Sequence, residues 1–173
     1  FLYSIDRRLA RISTYLQYSL EHSCQADLGQ VFFHTAEGEG SCYFCVGATT
    51  GISSVVTQRR SRLADALPGP LSYLIALLVT LTFWRNRTLE VRGEEVSFRA
   101  PVFLNLNAAN VKFYGGGMVS APRANPFSKA LELVSMNITL GQAILSLREN
   151  FRGRFDRVAG VEQHTVHRPF QVT

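Results

Sequence analysis

Residues 110–133 read NVKFYGGGMVSAPRANPFSKALEL, and they gather the residue types that could build a reactive crevice. Three consecutive glycines, Gly115, Gly116 and Gly117, follow the aromatic pair Phe113 and Tyr114. Glycine tolerates φ > 0 and lets a ligand or another backbone come close, so such a run between β-type segments marks a tight, irregular backbone. Ala121-Pro122 then ends ladder pairing on that side, because proline has no N–H to give. A polar loop holding Ser128 and Lys129 leads into strand-like residues 130–134. A glycine cluster by itself is most often only a turn. The order of residues around it says more.

Two other constellations invite chemistry and carry less of it. Cys42-Tyr43-Phe44-Cys45 is formally C-x-x-C, a zinc or redox spacing. It lies in a β-rich run, where residues three apart point to opposite faces, and no second C-x-x-C completes a tetrahedral site. Cys42 and Cys45 are therefore expected as buried, reduced core residues in a reducing setting. His164 and His167 fail the same geometric test if residues 161–166 form a strand.

The order Asn, aromatic pair, Gly-Gly-Gly-Met, Ala-Pro-x-Ala, loop and strand resembles the C-terminal domain of the soluble diacylglycerol kinase and sphingosine kinase family of lipid kinases. Asn110, Tyr114, Gly115, Gly116, Gly117, Met118, Ala121, Pro122 and Ala124 match the family pattern. Val111 stands where a glycine is usual, and Ser128-Lys129 stands where Asp-Gly is expected. The resemblance spans residues 26–173 and implies a two-domain kinase. A separate N-terminal nucleotide-binding domain would hold ATP through a Gly-Gly-Asp-Gly-Thr motif that these residues lack. Residues 1–25 then read as an interdomain helix and linker, and 26–173 as the lipid-side domain, incomplete at its C-terminus. Asn110, Tyr114 and the three glycines would line the interdomain cleft. Ser128 occupies the position of the family's catalytic Asp, and serine cannot serve as that base. Several relatives hold a magnesium ion in the turn after a helix, and register puts Val79, Thr82 and Trp84 there. Thr82 replaces the acid, leaving carbonyl ligands alone. Asp27 and Glu132 are the acids near the site in this register.

The elements that must position these residues follow from periodicity. Ile5, Leu9, Ile12, Leu16 and Leu20 recur at helical spacing. Residues 26–33 open a first strand, residues 37–40 signal a hairpin, and a second strand ends at Gly47. Thr49-Thr50-Gly51 is expected as a turn into a polar helix bearing Arg59, Arg60 and Arg62. Pro70 suits a first helical turn, and the apolar run from there to Trp84 is shorter than the roughly 20 residues a membrane span needs. A buried helix is the expectation, with interfacial lipid contact as the alternative. Residues 88–92 and 96–99 alternate about a hairpin, and residues 102–106 read as one continuous central strand. Residues 140–151 read as a helix, and residues 161–170 as a single strand.

Composition bounds the function classes. Of the 173 residues, 46% are hydrophobic and 18% charged, which excludes disorder. The net charge is +5, and among 18 basic residues only Lys112 and Lys129 are lysines. Arginine's planar fork suits phosphate and carboxylate, so anionic head groups, a nucleotide or nucleic acid would all satisfy the excess. No nucleic-acid motif or aromatic platform interleaved with basic residues is present, so nucleic acid is not an expected partner. The sequons at Asn86 and Asn137 matter only in a secreted protein.

These readings converge on an α+β fold, mainly antiparallel and β-sandwich-like, with interspersed helices. The function implied by the resemblance is the lipid-side domain of an ATP-dependent lipid kinase acting on a lipid hydroxyl, inactive without its nucleotide-binding half. ATP and Mg2+ are the implied cofactors. The implied partners are the lipid, the N-terminal domain and an anionic membrane surface, in a cytoplasmic, membrane-peripheral setting. The alternative is a non-catalytic relative that keeps lipid or partner binding, because Ser128 replaces the acid.

Overall fold

Residue 106 enters one core and residue 109 another, and that split explains the architecture. The structure is a computed structural model and describes residues 25–63, 69–85, 87–114 and 118–173. Strand β6 (Asn105–Ala109) is buried along its whole length. Leu106 and Ala108 join one apolar cluster, whereas Ala109 joins the other. Strand β9 (Leu131–Met136) divides likewise, with Leu133 on one side and Val134 on the other. Successive strand residues point to opposite faces, so a sheet covered on both sides must be apolar on both.

That central sheet has the order β10-β9-β6-β3 and is antiparallel throughout, with β3 spanning Gly47–Gly51 and β10 spanning Val161–Val166. One face carries helices α1 (Ile52–Leu63) and α2 (Gly69–Phe83), through Ile52, Val56 and Ala76. The other face packs on a three-stranded sheet, β11-β4-β5, through Leu89, Val91 and Ala100. Its strands are β4 (Arg87–Gly93), β5 (Ser97–Phe103) and β11 (Phe170–Val172). The fold is thus α+β and sandwich-like, as the sequence implies. Helix α3 (Leu140–Phe151) and a 3-10 turn, Phe155–Arg157, close one side, with Phe155 fully buried.

Several expectations need correction. Residues 47–51 form strand β3 rather than a turn, because β6 offers them a complete antiparallel partner. Residues 102–106 are not one strand. The chain leaves β5 at Phe103, breaks at Leu104 and enters β6 in the other sheet. Leu104 anchors that crossing by donating its N–H to Met136 O at 3.0 Å and accepting from Ile52 N at 2.9 Å. Residues 161–170 likewise split between β10 and β11. The Glu95 carboxylate accepts the His167 N–H at 2.6 Å and the Arg168 N–H at 3.2 Å at that crossing. Pro169 follows, with no N–H to continue a ladder.

Cys42 and Cys45 are exposed, not buried. Strands β1 (Gly29–Thr35) and β2 (Gly38–Phe44) form a separate two-stranded sheet, which meets the sandwich core through Phe44 and leaves the cysteines outside that contact. The helix expected over residues 5–21, the linker assignment up to Gln25 and Cys24 lie outside the described residues, except Gln25 itself. Among the described residues, no helix is long and apolar enough to cross a membrane.

Candidate functional site

At one end of the central sheet four loops meet, and Asn110 ties them. It follows β6 and is only 1% exposed. Its backbone N–H donates to Val46 O at 2.9 Å, and its side-chain Nδ2 donates to Asp27 O at 2.7 Å and Cys45 O at 3.0 Å. One amide group thereby satisfies carbonyls from two distant loops. Both bonds are part-buried, and a carbonyl shut off from water without such a partner costs roughly 1–3 kcal/mol.

Asp27 carries the next link. Its backbone N–H donates to Pro126 O at 2.7 Å, and its carboxylate Oδ2 accepts the Lys129 N–H at 2.6 Å. The Asp-Leu-Gly entry to β1 is thus fastened at two points to the loop before β9. Within that loop Ser128 Oγ donates to Asn125 O at 2.7 Å, and Phe127 N–H donates to Asn125 Oδ1 at 3.2 Å. Lys129 has φ 54, the positive-φ non-glycine among the described residues. The left-handed region costs an L-residue roughly 1–2 kcal/mol and suits glycine. Lys129 stands where the family pattern expects that glycine. The backbone there takes a shape that suits glycine, with a lysine in it.

Ser128, Asn110 and Asp27 are therefore brought into one knot of loops. Tyr114 pairs with Met118 across the short ladder of β7 (Phe113–Tyr114) and β8 (Met118–Val119) that follows Asn110. Gly115, Gly116 and Gly117, between those strands, lie outside the described residues. Phe113 and Phe127, 55% and 53% exposed, put aromatic surface beside the knot. Next to Val46 begins a cleft of about 460 Å3 between β3 and α1, lined by Gly47, Thr49, Ser54, Thr57, Gln58 and Ser61.

Glu132 does not join the turn. It is 2% exposed on β9, with Oε2 accepting from Thr165 Oγ1 at 2.9 Å across the ladder. Oε1 has no hydrogen-bond partner among the described residues. Val79 and Thr82 fall within α2, which continues to Phe83, not in a turn beyond it. Thr82 Oγ1 donates back to Leu78 O at 3.0 Å, and Trp84 lies half-buried against the helix-side core. These residues offer no carboxylate, and Arg85 and Arg87 flank them. Magnesium demands near-octahedral oxygen ligands and is usually anchored by a carboxylate. The donor set does not fit it. Among the described residues, no group of three or more His, Cys, Asp and Glu side chains could hold a metal.

The bond between Asp27 and the left-handed Lys129 is only partly legible in the sequence. Asp27 is visible as a nearby acid, but its contact with Lys129 crosses 102 positions of sequence. A lysine at a glycine position was the available signal for the turn.

Comparison with protein-family models places residues 47–169 within the YegS C-terminal NAD kinase beta sandwich-like domain. The chain belongs to that family. This YegS-type domain also superposes on the crystal structure of "a putative diacylglycerol kinase from Bacillus anthracis str. Sterne", with a TM-score of 0.60 at 10% identity. The match covers 98% of this chain and 51% of the Bacillus chain, so the YegS-type domain spans about half the length of that protein. At that identity the likeness speaks for the fold. Comparison with curated proteins gives no match.

Proposed function

We propose that this chain is the substrate-side half of an ATP-dependent lipid kinase, phosphorylating the hydroxyl of diacylglycerol or a related lipid. The observation that carries the reading is the left-handed Lys129, held by Asp27 at the position of the family's Asp-Gly turn. A lysine adopts that backbone only where surrounding structure enforces it. The turn is thus a built feature beside the Asn110 knot, where a lipid alcohol would be presented.

Phosphoryl transfer depends on positioning, charge neutralisation and a group that orients or deprotonates the nucleophile. In this reading ATP and its Mg2+ are held by the nucleotide-binding half and supply the phosphoryl group and its electrostatic activation. This chain binds and orients the lipid. Its exposed aromatics, Phe113 and Phe127, would meet the acyl chains, and the 126–129 turn would face the hydroxyl. An anionic membrane surface is the proposed physical partner, in a cytoplasmic, peripheral setting. Leu78, Val79 and Phe83 on α2 are 54%, 42% and 71% exposed, with exposed Arg60 and Arg62 on the neighbouring α1. Apolar surface with nearby cations suits an interface of that kind.

The test is phosphoryl transfer from ATP to diacylglycerol in mixed micelles by the full-length protein, followed as organic-soluble product. The natural protein, or its Ser128→Asp variant, is expected to produce phosphorylated lipid. A second reading, a non-catalytic lipid-binding relative, is favoured by the hydroxyl of Ser128, which donates to Asn125 O and offers no base. It predicts lipid binding without turnover in either protein, and that result would end the kinase reading.

A further inference from the structure

The turn that should carry a carboxylate has none, yet a carboxylate is fastened to it. We propose that Asp27, from the lead-in to β1, supplies the proton-accepting carboxylate of this site in place of the absent acid at position 128. The inference rests on the kinase reading above and names its missing base.

Three observations support it. Asp27 Oδ2 lies 2.6 Å from the Lys129 amide, so its carboxylate sits against the same turn that bears Ser128. Asp27 is held from three sides, by its own N–H to Pro126 O, by its carbonyl to Asn110 Nδ2 and by its carboxylate to Lys129 N. A general base must be fixed within reach of the proton it takes, and this anchoring does that. Asp27 is also partly exposed, whereas the other acid near the turn, Glu132, is buried and paired with Thr165. One oxygen of the Asp27 carboxylate accepts a backbone N–H, and a carboxylate accepts several hydrogen bonds at once, so a lipid hydroxyl can share it.

The step balances simply. The lipid hydroxyl oxygen bonds to the γ-phosphorus of the nucleoside triphosphate as the bond from that phosphorus to the β,γ-bridging oxygen breaks. The hydroxyl proton passes to Asp27, and the nucleoside diphosphate leaves with the electron pair.

The experiment uses the full-length protein with Asp27→Asn, Ser128→Asp and the double variant. Asparagine keeps a side-chain oxygen for the Lys129 N–H but cannot accept the proton. Asp27→Asn is expected to lower kcat about 100-fold or more, the usual weight of a general base, while KM and the melting temperature stay near those of the natural protein. It should also remove the acid limb of the pH profile. Adding Ser128→Asp to Asp27→Asn is expected to restore much of kcat and the acid limb, because the carboxylate returns to the same turn. Because Ser128→Asp by itself can install a base, the deciding comparison is between the natural protein and Asp27→Asn at unchanged KM and melting temperature. Turnover in Ser128→Asp with none in the natural protein would overturn the proposal. Full activity and an unchanged pH profile in Asp27→Asn would overturn the proposal and leave the kinase reading standing. A melting temperature that collapses in Asp27→Asn, without rescue in the double variant, would also overturn it. Absence of turnover in both the natural protein and Ser128→Asp would remove the kinase reading and this proposal together.

Discussion

A lysine with φ 54 is the residue on which the site's register rests. Cβ crowding against the carbonyl makes that conformation costly for any L-residue, and lysine's side chain offers no local hydrogen bond to offset it. Asp27 stabilises it by accepting the Lys129 N–H. Lys129→Gly should therefore stabilise the domain, by up to about 1 kcal/mol once glycine's larger unfolded-state entropy is subtracted. Urea denaturation measures this directly, and a loss of stability in Lys129→Gly would mean that the turn is not left-handed in solution. Asn110 makes the complementary case. Asn110→Ala strips the partner from Asp27 O and Cys45 O, two part-buried bonds that are together worth about 1–3 kcal/mol. Asn110→Asp keeps the size but replaces the Nδ2 donor with an acceptor facing those carbonyls. It should destabilise at least as much, and equal melting temperatures for natural and variant proteins would refute the role given to Asn110.

At the level of elements, the sequence disclosed which segments are buried but not which sheet each joins. Val102 and Phe103 before Leu104 and Leu106 after it are apolar, so the pattern reads much the same whether the chain continues straight or crosses to the other sheet. The crossing is decided by hydrogen bonds to Met136 and Ile52, far away in sequence. The hairpin of β1 and β2 misled for a different reason. Its β-branched and aromatic content signals strands correctly, yet strand propensity does not say that a core lies against them. Phe44 packs over Gly29 and Phe33 over Gly40 across the ladder, while Leu28, Phe32 and Tyr43 on the other face are 62%, 73% and 69% exposed. Phe44 reaches the sandwich core while most of the hairpin stays outside it, and the cysteines remain at its surface. The passage from β10 to β11 is controlled electrostatically. Hydrogen bonds from the His167 N–H, and secondarily from the Arg168 N–H, hold the Glu95 carboxyl below the usual carboxylate range. A depressed folded value means that the clamp's contribution is complete above the unfolded carboxylate range and is lost as pH falls through the folded value. Amide exchange at His167, Arg168 and Thr173, corrected for intrinsic rate, should accelerate on acidification through that window. In Glu95→Gln the acceleration should vanish. Persistence of the same pH dependence in Glu95→Gln would assign it to another group.

For the whole molecule, the helix layer turns apolar side chains outward as well as inward. Helix α2 gives Ala76 and Thr80 to the interior, at 1% and 2% exposure, and turns Leu78, Val79 and Phe83 outward. Arg59 Nη1 donates to Thr80 Oγ1 at 3.2 Å, which pins basic α1 to apolar α2. Arg60 and Arg62 are left exposed on α1, and Arg85 follows Phe83. Apolar side chains gain by entering the acyl boundary only if the charge beside them is welcome there, and a phosphatidylserine surface welcomes cations. The protein should therefore sediment with vesicles of phosphatidylcholine containing phosphatidylserine, and less with phosphatidylcholine alone. Raising salt should weaken that binding, since exposed charges are screened over about 8–10 Å near physiological ionic strength. Burial of a Leu or Phe side chain is worth roughly 1.5–3 kcal/mol, so Leu78→Asp with Phe83→Asp should reduce partitioning at least tenfold without lowering the melting temperature. Single-stranded DNA at the same salt should not compete. Vesicle binding that survives both substitutions, or that DNA displaces, would move the interface off α2 and leave the basic surface to another ligand.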